Sequence, residues 1–207
     1  MFNLNLLKKE FLQGKSGLKS IWAIVLVLIF LGNKLTTEGL YFYIIFSLVY
    51  MFSYTSDAMD NNYKGSYIIN SLPVNRHEVV ISKYLNRVLM IFIFTILCQP
   101  LSYILKGFGY NPLSFKGAIS IIVFITFINS INYLVYFSAN SKVSQITSMI
   151  LYPGICGSCF GFLSKSSHLS ISYIMNLFNN YLFILLVVII LIISISVSLI
   201  LYPIRDL

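Results

Sequence analysis

Several short patterns in this chain have the residue types of a reactive site, and each lacks a part that its chemistry needs. Gly14-Lys15-Ser16 matches the end of a phosphate-binding loop, in which backbone amides cradle phosphates and the lysine reaches over them. The full pattern needs another glycine five residues before Gly14, where this sequence has Lys9, and a strand ahead of it, which the charged, amphipathic start does not supply. His77-Glu78 matches the start of a zinc-protease helix, but the second histidine would fall at Ile81. Cys156-Gly-Ser-Cys159 has the spacing of a metal or redox pair; zinc needs two more ligands, and the histidines are only His77 and His168. The pair reads as two small packing residues. Serines are plentiful, but no histidine or carboxylate is expected at membrane depth to act as their base. The expectation is therefore a chain with no catalytic residues, no metal and no nucleotide of its own.

Uncharged polar residues do form a pattern. Tyr43, Ser47, Tyr50, Tyr54 and Asp57 recur at steps of 4, 3, 4 and 3, and Thr126, Asn129, Tyr133 and Tyr136 at steps of 3, 4 and 3. Each set is one helical face. Two uses stay open: interhelical glue, at about 0.6 kcal/mol per hydrogen bond in a bilayer, and a surface that faces a substrate. Pro153-Gly154 signals a kink, and Gly157-x-x-x-Gly161 allows close helix packing.

The elements that must carry these residues follow from composition. Of 207 residues, 58% are hydrophobic and 10% are charged, whereas soluble domains carry about 25% charged residues. Ile184 to Leu201 has no charge at all, which reads as a membrane span. The fold class is all-α: a single polytopic domain over 1–207 with six transmembrane helices, at roughly 19–36, 39–56, 84–105, 116–138, 143–163 and 178–203. Residues 1–18 read as an interfacial helix with Phe2, Leu6, Leu7, Phe11 and Leu12 on one face and Lys8, Lys9 and Glu10 on another. No cleavable signal peptide is expected. The last span, with only Ser194, Ser196 and Ser198 as polar residues after Leu182, is expected to face lipid.

The net charge of +8 has a membrane reading rather than a nucleic-acid one, because no soluble basic groove accompanies it. With the N-terminus inside, the inner segments hold Lys8, Lys9, Lys15, Lys19, Lys64, Arg76, Lys83, Arg87, Lys142 and Arg205; the outer ones hold Lys34, Lys106, Lys116 and Lys165. That bias predicts both termini in the cytoplasm. Lys34 and Arg87 are expected near span ends, and no span interior is expected to hold an acid or a base. Coupling to a proton gradient is then hard to build, so energy for uphill transport must come from a partner. The long inner connection, 57–83, is expected to be a cytoplasmic helical hairpin: Pro73 interrupts it, and Asn75 with Glu78 forms a capping-box-like start for a helix from Arg76.

Tyr63-Lys64-Gly65-Ser66, Ser71-Leu72-Pro73-Val74-Asn75-Arg76, Glu78-Val79-Val80 and Ser82-Lys83-Tyr84-Leu85 together resemble the cytoplasmic segment of ABC type-2 permeases. The length is similar to that of small six-span members, some of which resemble exporters of amphipathic peptides such as phenol-soluble modulins. The resemblance implies a coupling helix over roughly Asn62 to Leu72, with Asn62, Tyr63, Lys64, Gly65, Ser66, Tyr67, Leu72, Pro73, Arg76 and Glu78 contacting an ATPase. It implies two ATPase copies, which hold the ATP and Mg, and a second permease chain, identical or related. The expected function is the membrane half of an ATP-driven exporter in a bacterial cytoplasmic membrane. Tyrosine stripes in a charge-poor path suit an amphipathic or hydrophobic cargo, a peptide first. The competing expectation is a non-transporting immunity or sensor protein on the same fold.

Overall fold

The computed structural model describes residues 4–17, 37–62, 75–139, 143–151, 154–155 and 180–204. Among these residues the structure is helical, with no strand. Four helices are long and apolar enough to cross a membrane, and they correspond to the second, third, fourth and sixth expected spans. The expected span 19–36 lies outside the described residues. Of the expected span 143–163, the stretches 143–151 and 154–155 are helical. Pro153, Gly157, Gly161, Cys156 and Cys159 lie outside the description, and Gly154 faces open space.

Helix α1 (Leu4–Lys15) packs on α2 (Thr37–Asn62) through residues spaced about one turn apart: Leu6, Glu10 and Gly14 are buried, with Gly17 just beyond the helix. Gly14 sits directly on the Phe52 ring and Gly17 on the Thr55 side chain, so close that a Cβ at either would collide. This corrects the expected faces. Leu6 joins the core, but Phe11 and Leu12 are 45% and 57% exposed, while Glu10 is 3% exposed. The reason lies beneath the helix, where Ser56 of α2 and Lys83 of α3 meet Glu10 beside the apolar seats of Leu6 and Gly14.

Helix α2 also runs past its expected end at 56 without a break, through Asp57 and Asp60. Its Phe42, Ile45, Val49 and Phe52 join Met90, Ile91 and Phe94 of α3 and Ile121, Ile125 and Ile128 of α4 in the main core. Helix α3 (Arg76–Leu105) starts where the capping pattern predicts: the Asn75 side chain accepts from the His77 amide at 3.2 Å. At 30 residues and 1.5 Å per residue it is about 45 Å long, against a hydrocarbon core of about 30 Å. It is therefore about 15 Å longer than an untilted crossing needs. A 3-10 turn (Lys106–Phe108) and Gly109 at φ 86°, the left-handed region that glycine tolerates best, end it.

Helix α4 (Phe115–Ser138) begins at Ser114, whose hydroxyl accepts from the Gly117 amide at 3.0 Å. Helix α5 (Tyr181–Ile204) lies against α4 and α3. Its contact face is not purely aliphatic. Ser194 and Ser198 are buried and share the Tyr84 hydroxyl of α3 at 2.6 and 3.0 Å, and Ser194 also donates to the Ser130 carbonyl of α4 at 2.6 Å. Most of the helix is exposed, including Ser196, Leu185, Ile193 and Ile200, as a lipid-facing span requires, and one serine face is bonded into the bundle. In the apolar interior of a membrane protein a hydroxyl gains by finding a partner.

Replacing Gly14 by alanine should drive a methyl into the Phe52 ring and destabilise α1 docking by about 1–3 kcal/mol, the scale of overpacking. Thermal unfolding of the purified chain should show a lower midpoint. An unchanged midpoint would mean that α1 does not rest on α2 through Gly14.

Candidate functional site

The ends of α2 and α3 that flank residues 63–74 are held together by charge. Lys83, with only 3% of its side chain exposed, lies 3.3 Å from Glu10, 3.2 Å from Asp57 and 2.8 Å from Asp60. One turn further along α3, Arg87 pairs with the other oxygen of Asp57 at 3.0 Å. Arg87 then extends the network to α4: Nη1 donates to Asn129 Oδ1 and Nε to the Tyr133 hydroxyl, each at 3.0 Å. Helix α1 joins from the other side. Lys9 and Gln13 donate to Asp60 at 2.6 and 3.1 Å, and Ser56 donates to Glu10 at 2.5 Å.

Helical periodicity explains the convergence. Asp57 and Asp60 are three residues apart, Lys83 and Arg87 four apart, and Glu10 and Gln13 three apart, so each helix presents its polar groups on one face. Aromatic rings roof the cluster. Arg87 lies 4.3 Å from the centre of the Tyr133 ring and Lys83 lies 5.1 Å from that of Tyr136. Tyr84, Tyr133, Phe137 and Tyr202 pack edge to face or stacked behind them. The acids Glu10, Asp57 and Asp60 are matched by the bases Lys9, Lys83 and Arg87, so the cluster has no net formal charge. A buried ion is tolerated only when it is paired and hydrogen-bonded in this way.

The network falls at the edges of the expected spans: Asp57, Asp60 and Lys83 lie outside 39–56 and 84–105, and Arg87 near a span end. Asp57, Asp60, Lys83 and Arg87 all lie in helices that continue as spans. Lys83 and Arg87 sit in the first half of α3 and are buried inside the protein.

The sequence-predicted polar residues divide among distinct environments. Tyr43 and Ser47 are buried in the core. The Tyr50 hydroxyl donates to the Ser148 carbonyl at 2.8 Å, and its ring stacks on Tyr54. Tyr54 and Tyr136 line a water-sized cleft of about 10 Å³ with Asp57, Asn132, Gln145 and Ser148. Thr126, Asn129 and Tyr133 line a second cleft of about 10 Å³ with Tyr84, Arg87 and Leu191. Asp57 and Arg87, an ion pair, thus border one cleft each. Asn62 ends α2, Arg76 opens α3 and Glu78 lies in its first turn; Tyr63, Lys64, Gly65, Ser66, Tyr67, Leu72 and Pro73 lie outside the described residues. Among the described residues no group of His, Cys, Asp and Glu is arranged to hold a metal ion.

Four of the described helices are long and apolar enough to cross a membrane, and the charges they carry gather and pair at one end. The sequence profile of the ABC-2 family transporter proteins matches residues 5–203. That match covers nearly the whole chain, and the protein belongs to the ABC-2 transporter family, a family of membrane subunits that partner an ABC ATPase. No curated protein and no solved structure matches the chain.

Replacing Lys83 by methionine leaves three buried carboxylates facing one fewer base. The cost should be about 3–5 kcal/mol, as for other buried pairs stripped of one partner. A second change, Asp60→Asn, should recover part of it. Thermal unfolding of the single and double variants checks both, and equal midpoints for wild type and Lys83→Met would show that the network carries no stability.

Proposed function

We propose that this chain is the membrane half of an ATP-driven exporter that moves an amphipathic or hydrophobic cargo, a peptide by preference, out of a bacterial cell. Two copies, or this chain with a related one, form the path, and two ATPase subunits hold ATP and Mg. The observation that carries the reading is the family match over 5–203. It is supported by the placement of the charge network, which ties the ends of α2 and α3 together on either side of the 63–74 connection. A segment that docks on an ATPase must transmit force through those two ends.

The described helix ends also fit an orientation with this face in the cytoplasm. Lys8, Lys9, Lys15, Arg76, Lys83 and Arg87 gather at the network end, while Lys106 and Lys116 lie toward the other. That is the bias of a cytoplasmic face. Both termini are then cytoplasmic, as is Asn62 to Lys83.

The ATPase contact falls on Tyr63 to Tyr67 in this reading. Acidic substitutions there should leave the membrane helices folded and the ATPase active, but lower transport by about tenfold or more, equivalent to at least 1.4 kcal/mol of lost coupling. Transport into inverted vesicles alongside ATP hydrolysis measures both. Variants that assemble and transport normally would move the docking site elsewhere. A chain that neither binds an ATPase nor changes its hydrolysis would favour the immunity or sensor reading.

Tyr54 is the aromatic on the α2 stripe that borders a cleft, so it is the best candidate to touch cargo. Tyr54→Ala should change cargo preference or transport rate with the folded complex intact, while Tyr54→Phe, which keeps the apolar ring, should do so less. Loss of thermal stability with unchanged transport per folded complex would assign Tyr54 to packing alone.

A further inference from the structure

We propose that α1 is a charge-neutral clasp on the α2–α3 pair, able to open and close without leaving an unpaired charge inside the protein. The argument starts from how the network divides among helices. Helix α2 contributes the acids Asp57 and Asp60, and α3 contributes the bases Lys83 and Arg87. That layer is neutral on its own. Helix α1 contributes one acid and one base, Glu10 and its neighbour Lys9, which are 3.3 Å apart. It is neutral as well. When α1 lifts, Lys83 keeps Asp57 and Asp60, Arg87 keeps Asp57, and Glu10 and Lys9 enter water together. Stripping one partner from a buried pair is heavily penalised, and a neutral layer separating from a neutral layer avoids that penalty.

Among the described residues, α1 is also fastened by apolar contacts. Leu6 reaches the aromatic cluster around Tyr84 and Tyr133, and Gly14 and Gly17 rest on Phe52 and Thr55. The opposite face, with Lys8, Phe11, Leu12 and Lys15, is exposed. Phe11 also keeps a tilted contact with the Phe52 ring, at 6.0 Å between centroids, so charge and hydrogen bonding share the docking with apolar contacts. The clasp straddles the two helix ends that flank the 63–74 connection, so it holds them at a fixed separation. Its opening during the ATP cycle rests on the transporter reading above; its neutrality does not.

A single cysteine at position 6, in an otherwise cysteine-free full-length chain in nanodiscs, reports docking, because Leu6 is buried only while α1 is seated. Glu10→Gln keeps the shape but leaves an excess of one positive charge, and should speed maleimide labelling about tenfold or more, the scale of one charge-assisted hydrogen bond. Lys9→Gln leaves one excess negative charge and should also speed it. The double variant Lys9→Gln/Glu10→Gln is neutral again, and should label more slowly than Glu10→Gln alone. Contact loss without charge balance gives the opposite order, since the two effects would add. A double variant that labels as fast as Glu10→Gln or faster overturns the neutral clasp, as does Glu10→Gln at the wild-type rate. In the complex with its ATPase, labelling should rise during ATP hydrolysis over the nucleotide-free rate. An unchanged rate while ATP is being hydrolysed overturns opening in the cycle. A complex that hydrolyses no ATP counts against the transporter reading and leaves the outcome of the first comparison standing.

Discussion

The interaction on which the rest depends is the meeting of Lys83 with three carboxylates from two helices. A lysine with 3% of its side chain exposed cannot remain charged without partners. Glu10, Asp57 and Asp60 supply them, and in doing so fix the register of α1 and α2 against α3. Arg87 repeats the logic one turn on and brings in α4 through Asn129 and Tyr133. Tyr84, between the two cations in sequence, turns the other way and bonds the serines of α5. Five helices are thereby aligned by about one and a half turns of α3.

That stretch was legible in the sequence as a motif but not as a structure. Ser82-Lys83-Tyr84-Leu85 marked the start of a span, and Asn75 marked where its helix begins. What each residue of the motif does was hidden, because its partners are distant: Lys83 meets Asp57 across 26 positions and Glu10 across 73, and Arg87 meets Asp57 across 30. Counting bases by side treats each as solvated at a loop, and no helical periodicity reveals a pairing between separate helices. A fainter signal was present. Two acids one turn apart closed one span, and two bases one turn apart opened the next.

The polar stripes were legible as faces and ambiguous as to use. Tyr43 and Ser47 lie in the core, while Tyr54 is half-buried beside a water-sized cleft, so one periodic pattern meets different surroundings at different depths. Composition likewise left the orientation of α5 open. A helix that is almost wholly aliphatic has little to orient it by apolar packing alone, since lipid tails offer the same contacts as leucine. Two hydroxyls at one-turn spacing supply the missing direction, and the remaining faces stay aliphatic.

The 73-residue interval between Glu10 and Lys83 also bears on how the chain is made. At synthesis rates of about 5–20 residues per second, α1 is complete roughly 4–15 seconds before the lysine that fastens it exists. During that interval Glu10 has no cation of α3 to meet, and the glycine seats on Phe52 and Thr55 are themselves not yet made when α1 first emerges. The first helix synthesised must wait, amphipathic and unseated, until α2 and then α3 arrive. Assembly at this face therefore runs backwards along the chain, with the earliest segment fastened onto later ones.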